Sequence, residues 1–231
     1  MDFSALQTRV KERLDEPSSP VYWTAAEIKE AINKAQRRFC LYTLCVERTA
    51  SFAVTSDAFY SISSSITDFI KPLKVYNAQG TRVFPYTLYQ LQMENPAWRA
   101  DAGSPTKYAQ DGFDQLAITK QPASSQNLTI TYAASPAVLT NNSDVPEIPE
   151  EHHPCLIEFA IYWLRLKEGG QELQKTLPML GSFLDSASKY GEFTRARSKA
   201  QMYDHQPFDL SSFDRSRLLK MTLSGPRGVR K

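Results

Sequence analysis

Hydrophobic positions follow a helical period at both ends of the chain and a strand period between them. Phe3, Leu6, Val10 and Leu14 recur at spacings of three and four, which predicts one apolar stripe on a helix over about Ser4 to Glu16. Pro17-Ser18-Ser19-Pro20 ends it, because proline cannot donate to the helical ladder and biases its predecessor away from helix. The next helix has the sharpest start signal in the sequence. Thr24-Ala25-Ala26-Glu27 is a capping box, and Trp23 before it with Ile28 at the fourth helical position forms a hydrophobic staple. Ile28, Ile32, Ala35 and Phe39 then follow one face, while Lys29, Lys34, Arg37 and Arg38 stay solvated.

From about Cys45 the period shortens to two. Val46, Arg48 and Ala50, then Phe52 and Val54, predict half-buried strand, and Ser56-Asp57 is a turn leading to a partner strand over Phe59 to Ile62. Ile70 to Tyr76 and Arg82 to Tyr86 flank the hairpin turn Asn77-Ala78-Gln79-Gly80. Leu88 to Glu94 predicts a short helix ended by Asn95-Pro96. Three more strands are predicted over Pro105 to Gln110, Gln115 to Thr119 and Leu128 to Ala133, with turns at Asp111-Gly112 and Pro122 to Asn127.

Helical period returns after Pro146-Glu147-Ile148-Pro149-Glu150-Glu151, a proline-and-acid start that suits the positive end of a helix dipole. Leu156 to Leu166 is apolar on most sides, as in the central helix of a bundle, and Gly169-Gly170 stops it. A longer last helix carries Phe183, Ala187, Tyr190 and Thr194 on one face and runs into the basic stretch Arg195 to Lys199. The predicted class is α+β: a helical bundle built from the two ends of the sequence, with an inserted all-β, sandwich-like domain and an extended C-terminal arm. The expected boundaries are 1–44 and 136–204 for the bundle, 45–135 for the insertion and 205–231 for the arm.

Composition changes this picture little, and charge changes it at one end. At 231 residues, with 42% hydrophobic and 23% charged residues, the chain has material for a core without staples. The three cysteines, Cys40, Cys45 and Cys155, are expected to be reduced, in a protein that folds in a cytoplasm, without a secretory signal or a membrane span. Of the net charge of +2, residues 205–231 carry +4, which leaves the body at −2. A basic terminal arm suits an acidic surface or nucleic acid.

Candidate chemistry is sparse. His152-His153 with Cys155 make a poor metal site, since adjacent histidines on a helix point about 100° apart and no second Cys/His pair completes a tetrahedron. Cys155 begins an apolar helix face, where a thiol is buried and inert rather than nucleophilic. The sequence has no phosphate loop, dinucleotide fingerprint or nucleophile elbow. The aromatic residues of the β region, Phe52, Phe59, Tyr60, Phe69, Tyr76, Phe84, Tyr86 and Tyr89, read as core before binding platform. A protein without enzymatic activity, metal or cofactor is expected.

Four motifs in register carry a resemblance. Trp23-Thr24 with Glu27-Ile28, Ile32-Asn33, Ala35-Gln36-Arg37 and Phe39 resembles the opening of head-to-tail adaptor (connector) proteins of short-tailed phages. Pro146 to His153 before an apolar helix with Tyr162 is similar to a later part of the same family. Leu88, Leu91 and Pro96 to Arg99, then Gly103, Pro105 and Tyr108, look like its middle segment. The likeness spans about residues 5–200. It implies a virion structural protein, assembled in the host cytoplasm, that forms a twelve-fold ring beneath the portal protein. Such a ring joins the portal to tail nozzle or tail fibre proteins and touches the passing genomic DNA transiently and without sequence preference.

The family's C-terminal tail grips the portal. By position and charge that role falls here to Phe208, Leu210, Phe213, Arg215, Arg217, Leu218, Leu219, Lys220, Met221, Arg227, Arg230 and Lys231. Two other classes compete with this reading. A nucleic-acid-binding regulator would use the basic arm, but Arg195 to Lys199 is too short and ordinary for a recognition helix. A carbohydrate-binding or hydrolytic tail accessory would need paired acids, whereas Asp68, Asp111 and Asp114 fall in turns.

Overall fold

In a computed structural model, which describes residues 1–15, 22–112 and 114–201, helices flank a block of strands. The elements are α1 (Phe3–Leu14), α2 (Ala25–Thr43), β1 (Glu47–Val54), β2 (Phe59–Ser61), β3 (Phe69–Tyr76), β4 (Arg82–Pro85), α3 (Leu88–Glu94), β5 (Lys107–Asp111), β6 (Gln115–Ile118), β7 (Gln126–Ala134), α4 (His153–Arg165) and α5 (Gly170–Gln201). Short 3-10 turns lie at Trp98–Ala100 and Glu150–His152. The α+β class expected from the periods is the one observed. Contacts divide the chain into a helical unit, built mainly of residues 1–43 and 136–194, and a sheet unit built mainly of residues 44–135.

In the helical unit, α1 starts at Phe3, the first residue of its apolar stripe and one before the predicted Ser4. The Asp2 carboxylate accepts the Ala5 amide at 2.7 Å and caps it. Asp15 closes the helix in the left-handed region at φ 53°, and the Pro17–Pro20 stop lies outside the described residues. The box at the head of α2 forms as the sequence indicates. Glu27 N donates to Thr24 Oγ1 at 3.2 Å, and Thr24 N donates to the Glu27 carboxylate at 2.7 Å. Trp23 and Ile28 are both buried in one cluster with Phe3, Leu6, Val10, Leu14, Ile32, Ile157, Ile161 and Leu164. This cluster joins α1, α2 and α4 across most of the sequence.

Two polar side chains on α2 fix where the chain re-enters this unit. Asn33 Nδ2 donates to Leu139 O at 3.0 Å, and Asn33 Oδ1 accepts Leu139 N at 2.8 Å. One amide side chain thus meets both backbone groups of Leu139 as a neighbouring strand would. Gln36 Nε2 donates to Ala137 O at 2.6 Å. At the other end of α2, Trp23 Nε1 donates to Leu164 O at 3.2 Å, and Lys167 Nζ reaches Tyr22 O at 3.1 Å and Glu27 Oε1 at 2.9 Å. The aromatic layer on the far side comes from Phe39, Phe159 and Phe183, with the Phe159 and Phe183 rings 4.6 Å apart.

In the sheet unit the strand order is β1-β7-β3-β4-β5-β6-β2. All neighbours are antiparallel except β4 and β5, which are parallel and joined by the crossover that contains α3. The sequence pairs Phe59–Ile62 with the strand before it. The structure instead puts β1 beside β7, which matches it over eight residue pairs where the three-residue β2 could not, and puts β2 beside β6. As the two edges of the sheet, β1 and β2 would stand about 29 Å apart if seven strands lay flat. Yet only residues 55–58 link them, a reach of about 17 Å. The sheet must curl. The Phe52 and Tyr60 rings accordingly come within 6.5 Å, and the Tyr60 hydroxyl donates to Thr55 O at 2.7 Å and accepts Thr55 N at 2.8 Å.

The curled sheet buries Val54, Leu73, Val75, Val83, Tyr108, Leu116, Ile118, Leu128, Ile130 and Tyr132. Ala109 and Ala117, directly opposed on β5 and β6, lie in a second cluster with Leu91 of α3 and with Trp98. Small side chains there let a helix approach the strands. The Thr87–Gln90 capping box starts α3, with Gln90 N to Thr87 Oγ1 at 3.1 Å and Thr87 N to Gln90 Oε1 at 2.9 Å. Pro72, which cannot donate to a ladder, sits between register shifts in the β3–β7 pairing and outside the β3–β4 pairs.

Two outcomes follow from the α2 contacts. Asn33→Ala strips Leu139 of both partners and should cost roughly 1–3 kcal/mol of stability by thermal or urea unfolding. Asn33→Asp keeps the acceptor for Leu139 N but places an oxygen against Leu139 O, so it should not rescue. Glu27, hydrogen-bonded first to the Thr24 amide and then to Lys167, has its pKa lowered from 4.5 to about 2. Because the folded value lies below the unfolded one, its contribution is complete above pH 4.5 and is lost as pH falls toward about 2. A carboxyl NMR titration should show the low midpoint, and Thr24→Ala should raise it.

Candidate interaction surfaces

The histidine and cysteine groups singled out in the sequence, His152, His153 and Cys155, take part in packing and hydrogen bonds of the fold. His153 is buried; its Nε2 donates to Ile148 O at 2.9 Å, so Nδ1 is left to accept the Met1 ammonium at 3.1 Å. The same ammonium donates to Glu150 at 3.0 Å. Burial lowers the pKa of His153 and of His152, which keeps both rings neutral near pH 7. His152 lies against Phe39 and Tyr190, with Nδ1 3.0 Å from Ser186 Oγ and Nε2 3.4 Å from Glu151. A serine, a histidine and a carboxylate in a row invite comparison with a nucleophile relay. Ser186, however, lies inside α5, where neighbouring amides are spent on the helical ladder and cannot stabilise an oxyanion. The Cys155 thiol is pushed up to about 12 by burial and donates to His152 O, so it is no nucleophile at neutral pH. Among the described residues no group of three or more His, Cys, Asp and Glu side chains is placed to hold a metal.

Asp68 and Asp114 of the sheet unit likewise serve the fold. Asp68 accepts from Arg48 and from the Tyr132 hydroxyl, and that environment, burial first, raises the Tyr132 pKa to about 12. Asp114 accepts from the Ser63 hydroxyl, the Ser63 amide and the Ser61 hydroxyl, and these bonds hold its carboxyl below the usual range. A carboxylate so stabilised is a poor proton donor for glycoside cleavage. Of the aromatic set, Phe52 is buried, while Phe59 and Tyr86 pack against the Leu91–Trp98 cluster. Phe84 is 55% exposed and Tyr89 73% exposed. Tyr89 and Met93, four apart on α3, share an exposed apolar face.

The helical unit has a groove of about 450 Å³ along the outer face of α2. The return segment supplies Pro136 and Val138 as one wall, and α2 supplies Glu30, Lys34, Arg37, Arg38 and Leu41, with Lys34 Nζ 3.9 Å from the Glu30 carboxylate. Leu41 and Val138 are exposed apolar side chains, 42% and 57%. Arg37 and Arg38 are exposed and make no ion pair among the described residues, while Lys34 lies 3.7 Å from the Trp163 ring. Gln36 also lines the groove, almost wholly buried, and its Oε1 has no hydrogen-bond partner. From sequence these cations read as a solvated helix face, because the other wall comes from about a hundred residues further on. The residues assigned to portal binding, Phe208 through Lys231, lie outside the described residues.

No helix among the described residues is long and apolar enough to cross a membrane. No curated protein matches the chain. The family model described as SU10 adaptor protein matches residues 1–210, which takes in both halves of the helical unit and the whole sheet unit. With nearly the full sequence matched in that order, the chain belongs to the SU10 adaptor protein family, a family of phage adaptors.

Proposed function

We propose that the protein is a head-to-tail adaptor, copies of which form a twelve-membered ring beneath the portal, join it to tail nozzle or fibre proteins and surround part of the DNA channel. The family match over residues 1–210 carries this reading. The rest of the molecule is compatible with it. A ring subunit needs two different faces that meet between copies, and needs no catalytic pocket. A body with a charge of −2 lets DNA slide past, since each basic contact to phosphate costs counterion rebinding on release. The segment 205–231 acts as the portal-gripping arm: Phe208, Leu210, Phe213, Leu218, Leu219 and Met221 are its anchors, and Arg215, Arg217, Lys220, Arg227, Arg230 and Lys231 its charge. Anchors of this kind set residence time and the cations set capture rate.

Mixing the purified chain with portal should give a ring-sized complex without nucleic acid, with rotational symmetry visible in class averages by cryo-electron microscopy. A monomer that shifts only with DNA would overturn the reading. Truncation after Tyr203 should leave a folded body by circular dichroism but sharply reduced association with portal. Undiminished association would take the arm out of that contact.

A further inference from the structure

The groove on α2 has a complementary surface elsewhere in the same helical unit. Residues 141–151 form a loop that carries Asp144, Glu147, Glu150 and Glu151, with Val145 58% exposed among them. The loop is held on its own unit at fixed points. Phe3 N donates to Asp144 O at 2.7 Å, Ser4 N to Asn142 O at 3.0 Å, and the Asp144 carboxylate receives the amides of Thr140 and Asn141 at 2.7 and 2.8 Å. It is therefore a preformed acidic knob with an apolar tip, which loses little freedom on docking.

We propose that the groove of one copy receives the 141–151 loop of the next copy, a head-to-tail contact between unlike faces that closes the ring; the inference rests on the ring reading above. Charge selects the occupant. Arg37 and Arg38, the groove cations that Glu30 does not pair, face Glu147 and Glu151, and Val145 meets Leu41 and Val138. Two rival occupants fit worse. DNA offers phosphate oxygens, which leave the exposed Leu41 and Val138 without an apolar partner and meet the Glu30 carboxylate. The 205–231 arm has a net charge of +4 and meets the like charges of Arg37 and Arg38. Because groove and loop are different patches, the contact repeats from copy to copy, as a closed ring requires.

The test uses the full chain with portal, with ring-sized complexes read by native mass spectrometry. Arg37→Glu with Arg38→Glu should lower the ring-sized fraction at least about tenfold. Glu147→Lys with Glu151→Lys should do the same, and combining all four should restore it. Val145→Asp, at an exposed position that leaves folding intact, should also reduce assembly. If the wild-type ring forms and these variants assemble as well as it does, the loop–groove contact is wrong and the ring reading stands. Loss in both reversals without recovery in the combination overturns the pairing too. A wild-type chain that forms no oligomer removes the ring reading and this contact with it. Groove reversal that spares assembly but abolishes DNA retention makes DNA the occupant, and truncation after Tyr203 that reproduces the groove defect makes it the arm.

Discussion

The pairing of β1 with β7 is the contact on which the rest of the architecture depends. Residues 44–135 interrupt a helical unit whose two parts must still pack together, and a long excursion normally separates its ends. Here the first and last strands of the excursion are neighbours, with Glu47 opposite Ala133 and Val46 O accepting Ala134 N at 2.8 Å. The neck of the insertion is thus closed by its own ladder. The chain leaves and returns at adjacent points, and α2 and α4 meet as though the interruption were a short turn. Asn33 and Gln36 then take hold of the returning backbone within a few residues.

The same ladder decides the shape of the sheet. Once β7 lies between β1 and β3, the strand following β1 cannot pair with it on that side and is taken by β6 at the far edge. Residues 55–58 then tether one edge to the other, and curvature is the only way to satisfy both. Tyr60 draws the tether tight by bonding both backbone groups of Thr55. Curvature in turn gives the apolar positions of β5, β6 and β7 a common interior, and Ala109 and Ala117 make room for α3 and Trp98 on the other face.

Local signals were readable and long-range pairings were not. The capping box at Thr24, the stripe from Phe3 to Leu14 and the hairpin around Asn77 depend on residues within a few positions of one another, so periodicity and side-chain chemistry reveal them. Asn77 Oδ1, for example, receives the amides of Gln79 and Thr81 within its own turn. The partner of β2 depends instead on competition among strands of similar composition, which alternation alone cannot rank. The short helix α3 was legible, yet its Thr87–Gln90 box is needed to explain why it starts where it does. Asn33 and Gln36 stood out as a motif, but the backbone they hold is that of Ala137 and Leu139. The groove was invisible for the same reason, since neither wall is a groove by itself. The arm, legible only as charge and apolar content, falls outside the described residues.

The closed neck also has a mechanical meaning. Because β1 and β7 run antiparallel and both chain connections leave from the same end, a force drawing the two units apart loads the ladder one rung at a time, starting near Val46 and Ala134. That is the peeling geometry of a zipper, in contrast to the shear geometry in which all rungs share the load. A subunit tied this way yields gradually under tension and can re-form the ladder rung by rung when the pull relaxes.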